Sequence, residues 1–231
     1  MKKIALVIAM IFCTTIYASN SNAASVDLRE ASMCNRYFPI YEAKYHMPSN
    51  MLRAISVIES GKWSASSARR VAWPWTINVE GKGYQFSTKR EAIMAVKKAM
   101  SEGKRSIDIG CMQINLKYHP QAFYNLQQAF EPNYNIAYGA KFLYETYKRN
   151  GNWASAISNY HNANPELGRG YLAKVYEIWR SEDKAVSVAM LDNKKSSFHI
   201  SVKRNKNAKQ ETSNDSDVSD ITKSALERFV D

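Results

Sequence analysis

Between residues 51 and 58, Met51, Leu52, Ile55 and Ile58 recur three and four residues apart, the spacing of one helix face, and Pro48-Ser49-Asn50 supplies a cap before them. The pattern predicts a helix whose last turn carries Glu59, followed by Ser60 and Gly61. Thr88-Lys89-Arg90-Glu91 is a capping box opening a second helix through Ile93, Val96 and Met100, which Gly103 stops. A third runs from Pro132 to Asn150 through Ile136, Gly139, Phe142, Leu143 and Tyr147, with Gly151 ending it. Asn152 caps a fourth through Trp153, Ala156, Ile157 and Tyr160, and Tyr171, Leu172, Val175, Ile178 and Trp179 mark a last one. One stretch alternates instead: Thr76–Val79, the turn Glu80-Gly81-Lys82-Gly83, and Tyr84-Gln85-Phe86 read as a β-hairpin. The fold class expected is mainly α with a small β-hairpin insertion.

The two ends follow different patterns. Met1-Lys2-Lys3, the apolar run Ile4 to Ile16 and the small residues Ser21 to Ala24 describe a secretory signal peptide over residues 1–23. That run is too short to span a bilayer, and the mature chain contains no other candidate for an integral membrane segment. An exported, periplasmic location follows as the expectation. From residue 182 to 231 aromatics nearly vanish and Ser, Asn, Lys and Asp dominate, so this tail buries too little apolar surface to offset ordering entropy. A short amphipathic helix near Ile221, Ala225 and Phe229 is the one structural pattern within it. Residues 24–181, which hold all five Trp, are the domain able to build a core.

Charge narrows the partner. The formal charge is +11; Lys2 and Lys3 of the signal account for two of it, and residues 182–231 balance nine basic against nine acidic side chains, so the domain carries +9. A basic exported domain suits an anionic polymer such as the bacterial wall, and the export signal separates it from nucleic acid. Cys13 leaves with the signal, so Cys34 and Cys111 remain, an even number for one disulfide in an oxidising compartment, with two buried thiols as the alternative. His46, His119, His161 and His199 are scattered without ligand spacing, so no metal site is read, and no cofactor fingerprint appears.

The chemistry is concentrated at Glu59. A carboxyl group carried by an apolar helix into low dielectric resists ionisation, so its pKa rises toward the range of a general acid working near neutrality. Three downstream segments belong with it. Gly110-Cys111-Met112-Gln113-Ile114-Asn115 brings a glycine for tight backbone approach, two amides that can pair with sugar hydroxyls and acetamides, and a soft apolar wall. Asn135 to Leu143 is a helix in which Gly139 admits a close neighbour, and Ser158-Asn159-Tyr160-His161 brings a phenol.

In this order and spacing the segments resemble the soluble lytic transglycosylases of bacterial cell-wall metabolism over residues 30–181. Glu59-Ser60 matches that family's Glu-Ser pair, Gly110 to Asn115 its Gly-x-Met-Gln motif, and Tyr160 the tyrosine of its Tyr-Asn motif. Two departures stand out. The segment Gly61 to Ile109, with Trp73-Pro74-Trp75 and the hairpin, replaces a short link, and His161 occupies the position of an Asn. The resemblance implies a lysozyme-like, goose-type helical fold and cleavage of the bond between N-acetylmuramic acid and N-acetylglucosamine in peptidoglycan glycan strands, yielding a 1,6-anhydro end without water. It implies Glu59 as acid and then base, with no cofactor, and Tyr160 donating to it. Gln113 and Asn115 would hold the sugar, Met112 would pack on a ring, and Ser60 would support the loop beside Glu59. Trp73 and Trp75 either stack on sugars or anchor the hairpin.

A glycosidase with two catalytic carboxylates needs a partner for Glu59, and near these motifs only Asp108 is available. The alternatives carried forward are a goose-type muramidase that uses water, a peptidase built on Cys111 and His161, and a non-catalytic wall-binding module. The tail is the segment suited to a partner, and small exported transglycosylases serve either general wall turnover or the assembly of secretion systems and pili.

Overall fold

A computed structural model describes residues 29–162, 164 and 166–182. The signal peptide expected over 1–23 and the tail from residue 183, including its Ile221–Phe229 stretch, lie outside the described residues. In chain order the elements are α1 (29–35), α2 (Phe38–Lys44), α3 (Met51–Ser60), β1 (Lys62–Ser64), β2 (Arg69–Val71), β3 (Thr76–Val79) and β4 (Lys82–Gln85). They continue as α4 (Lys89–Ser101), β5 (Ile107–Ile109), β6 (Ile114–Asn115), α5 (Leu126–Ala129), α6 (Pro132–Asn150), α7 (Trp153–His161) and α8 (166–182). Among the described residues no helix is long and apolar enough to cross a membrane.

The domain is mainly helical, as the periodicities require, and its helix ends are made by the expected chemistry with one exception. Thr88 and Glu91 form the capping box of α4, Gly151 closes α6 in the left-handed conformation at φ 78°, and the Asn152 side chain accepts from Ser155 N at 2.8 Å to start α7. The exception is α3. Asn50 adopts φ 64° and its side chain does not cap; the carboxylate of Glu42, from α2, accepts from Asn50 N at 3.1 Å and from Leu52 N at 2.8 Å. Burial raises the pKa of Glu42 even though these backbone donors oppose it. The helix that carries Glu59 is therefore anchored at its start by a neighbouring helix.

The β structure is larger than one hairpin. The expected β3–β4 pair is present, but β3 also pairs with β5 and β5 with β6, giving a four-stranded antiparallel sheet in the order β4-β3-β5-β6, while β1 and β2 form a separate pair. Strands of two and three residues are too short to display an alternating period, which is why β1, β2, β5 and β6 carry no pattern legible by eye.

Two cores result. One gathers the helices around Leu52, Ile55, Ile136, Leu143, Ile157 and Trp179. The other packs the face of β3 and β5 against α4 and α5 through Trp73, Ile77, Val96, Ile109 and Phe130. Trp73 and Trp75 are buried in this second core, and their indole N–H groups donate to Phe86 O at 2.7 Å and to Glu30 Oε2 at 2.5 Å. They anchor the β region and have no face left for a sugar.

Candidate active site

Glu59 stands at the last turn of α3, and the chain must leave that turn without disturbing it. The freed carbonyls are taken up in order: Ser60 O accepts from Thr76 Oγ1 at 3.0 Å, Ser60 O and Gly61 O both accept from Gln85 Nε2 at 3.1 Å, and Arg70 also donates to Gly61 O. A Cβ on Gly61 would lie 2.2 Å from Val57 O, so only glycine fits this exit. Strands β2, β3 and β4 thus supply the donors that satisfy the C-terminal carbonyls of the helix carrying Glu59.

The Gly110 to Asn115 segment leads from β5 through a turn into β6, and it is held by two serines of α3, a cysteine of α1 and an asparagine of α6. Cys111 O accepts from Ser56 Oγ at 2.7 Å and from Ser60 Oγ at 2.9 Å. Cys111 is joined to Cys34 in the disulfide left open by the sequence. From the other side Asn135, wholly buried on α6, donates to Ile109 O at 3.0 Å and Ala129 O at 3.1 Å and accepts from Met112 N at 2.8 Å. Gly110 has φ 80°, and a Cβ there would sit 2.4 Å from Asn135 Nδ2. The glycine is needed both for the turn and for contact with Asn135.

The surroundings of Glu59 correct several expectations. The phenol that reaches it is Tyr171, on α8, whose Oη donates to Glu59 Oε1 at 2.6 Å. Tyr160 instead donates to Met112 O at 2.8 Å, while lining the same cavity as Glu59. Met112 is fully buried, closely facing Gly139, so it packs inside the domain and not on a sugar ring. Ser60 is buried too and braces Cys111 and Trp73, whose backbone N–H donates to Ser60 Oγ at 3.2 Å. Its hydroxyl is turned to the protein, donating to Ser56 O at 3.0 Å and Cys111 O at 2.9 Å.

Gln113 and Asn115 do line a cavity of about 330 Å³ beside Glu59. Gln113, held at φ 46°, donates through Nε2 to Thr76 O and Gly110 O, both at 3.0 Å, leaving Oε1 as its atom for a ligand. Asn115 has both ends engaged: Nδ2 donates to Ser106 Oγ at 3.1 Å and Asp108 Oδ1 at 2.7 Å, and Oδ1 accepts from Lys117 N at 3.0 Å and Tyr118 N at 3.2 Å. Its amide positions Asp108 and the following loop.

The remaining wall was not assigned from the sequence. Asp108, Tyr118 and His161 share the cavity with Glu59, and Tyr118 presents most of its ring to solvent, 70% exposed. A second cavity, of about 340 Å³, opens on the other side of Glu59 between the end of α3 and the first turns of α8, and His161 lines both. The His161 ring stacks on Tyr171 with centroids 4.6 Å apart and planes 4° from parallel. Tyr171 gave no local signal as a site residue. It falls on the apolar face of a helix, and its partner is 112 residues away.

The electrostatics fit a proton donor. Burial raises the Glu59 carboxyl from 4.5 to about 7, the Tyr171 hydrogen bond opposes this by favouring the charged form, and the neighbouring Asp108 adds to it. Asp108 is itself raised, first by burial, with Asn115 and His161 opposing. His161 is lowered by burial and by Lys174, against the pull of Asp108. Tyr171 and Tyr160 are pushed well above 10 by burial and by Glu59, so both phenols stay protonated. A single acid near neutrality, oriented by one phenol and open to a cavity on either side, can protonate a leaving oxygen. Cys111, buried and bonded to Cys34, offers no thiolate, which removes the peptidase alternative.

A family model described as Transglycosylase SLT domain matches residues 36–177. No curated protein matches the chain, and no solved structure does.

Proposed function

The chain belongs to the transglycosylase SLT domain family, whose substrate is peptidoglycan, and from that premise we propose that it is an exported lytic transglycosylase in which Glu59 serves as acid and then as base. The observation that carries the reading is Glu59 itself: one carboxyl with a pKa of about 7, held by Tyr171 between two cavities. A group at that pKa is protonated in part of the population at neutral pH and, once ionised, basic enough to take a proton back.

Glu59 protonates the oxygen joining C1 of N-acetylmuramic acid to N-acetylglucosamine; the C1–O bond breaks and the glucosamine side leaves with its new hydroxyl. The substrate's own acetamide oxygen shields the positive C1. Glu59, now a carboxylate, removes the proton of the muramoyl C6 hydroxyl, O6 closes on C1, and Glu59 returns protonated. No water enters. Tyr171 orients the acid, Gln113 offers Oε1 to the sugar, and the exposed ring of Tyr118 offers a stacking face. Ser60, Met112, Asn115 and Tyr160 hold the walls in place through the bonds described above.

Asp108 supports one competing reading, hydrolysis of the same bond by a water held between two carboxyl groups, as in a muramidase. Product mass separates the two. Purified protein acting on peptidoglycan should release muropeptides lighter by one water than reducing ends, and Glu59→Gln should lower the rate by about a thousandfold. Exclusive release of reducing ends would establish hydrolysis instead.

A further inference from the structure

The second cavity has no role in the proton transfers, yet its wall is chemically distinct. Cavity one is lined by amides, phenols and carboxyls; cavity two adds the ammonium of Lys174, together with Ile58, Glu166, Leu167 and Gly170. Glu166 on its rim is already paired with Arg169. Among the described residues no carboxylate lies within ion-pair distance of Lys174, although it sits one helical turn beyond Tyr171 and close enough to His161 to disfavour the imidazolium. An exposed lysine that lines the same cavity as the reacting acid, with no carboxylate in ion-pair distance among the described residues, is a receptor for negative charge.

We propose that this cavity is a subsite for a carboxylate of the substrate, bound by Lys174 with the His161 ring as its floor. This rests on the lytic transglycosylase reading and deepens it. The glycan backbone is uncharged, so the carboxylate comes from the muramoyl lactyl group or from a stem peptide attached to it; either is a flexible anionic branch beside the reacting sugar. Held there, the branch fixes which ring presents C1 to Glu59, because only the muramoyl residue carries it. Charge on Lys174 thereby selects the muramoyl side of the bond, a choice that the uncharged amides of cavity one cannot make by themselves.

The test uses the protein with Glu59→Gln, whose turnover is too slow to matter during a titration, and calorimetric titration with three tetrasaccharides of alternating N-acetylglucosamine and N-acetylmuramic acid. One has free lactyl carboxylates, one has them converted to neutral carboxamides, and one bears stem peptides. In Glu59→Gln alone, an anionic ligand should bind about fivefold more tightly than the carboxamide, the size of one partly exposed ion pair, and the gap should shrink as salt rises. Adding Lys174→Gln should abolish the gap and leave the carboxamide's affinity unchanged, and Lys174→Arg should restore it. The ligand that loses affinity, lactyl or peptide-bearing, identifies the source of the carboxylate. Equal affinities of all three ligands for the Lys174 protein, or an equal loss for charged and neutral ligands on substitution, would overturn the subsite. Failure of the parent reading looks different: the wild-type protein would then release reducing ends, or leave peptidoglycan intact, whatever residue 174 is.

Discussion

Replacing Glu59 by Gln should make the protein more stable above neutral pH while removing its activity. In the fold the carboxyl is raised from 4.5 to about 7, so it keeps its proton in a range where the unfolded chain has lost it. The native state therefore binds more protons between these two values, and stability falls as pH rises through that window. Each unit is worth about 1.4 kcal/mol, so ionising Glu59 costs the native state about 3 kcal/mol. Gln mimics the protonated acid, keeps the oxygen that accepts from Tyr171, and relieves the repulsion from Asp108. Urea unfolding of both proteins, from about pH 4 to about pH 8.5, should give curves that coincide at the acid end and separate progressively, with the variant ahead by about 3 kcal/mol at the alkaline end. A constant difference at every pH would refute the reasoning, because the stabilisation would then not come from the proton.

Three further outcomes follow from the same structure. The rate at low substrate should fall above about pH 7 as Glu59 ionises, and Tyr171→Phe, which removes a donor to the charged form, should move that fall to higher pH and lower kcat by about tenfold; pH–rate profiles of the two proteins check this. Converting Cys34 and Cys111 to Ala opens a loop of 77 residues' separation and should cost about 4 kcal/mol in the chain-entropy account, read from denaturant midpoints under non-reducing conditions. Asn135→Ala strands Met112 N, Ile109 O and Ala129 O in a buried site, so unfolding should become easier by about 3 kcal/mol, with activity lost in step as the Gly110 turn loosens.

The helices and the position of the acid were legible because each is encoded locally. The Met51–Ile58 spacing places Glu59 at a helix end, and Thr88 with Glu91, Asn152 and Gly151 mark helix ends through side chains within a turn of the groups they satisfy. Asn50 failed as a cap because a carboxylate from another helix, Glu42, reached the same N–H groups. The short strands β5 and β6 were missed for a related reason: their identity lies in pairing with β3, not in their own alternation. Trp73 and Trp75 carried no signal to decide between sugar stacking and core, and the packing of the sheet against α4 put them inside.

The sequence by itself determined a basic, mainly helical domain with one apolar-flanked carboxyl, a glycine turn bearing amides, and cysteines at 34 and 111. Tertiary structure alone decided that those cysteines pair, that Tyr171 and not Tyr160 hydrogen-bonds Glu59, that Asp108 and His161 share its cavity, and that Lys174 lines the second cavity with Glu59 and His161. The first set depends on neighbours within a helical turn, where side-chain spacing dictates the face. The second depends on contacts between residues up to 112 positions apart, which form only when both cores pack and bring α3, the β5–β6 turn and α8 to one point.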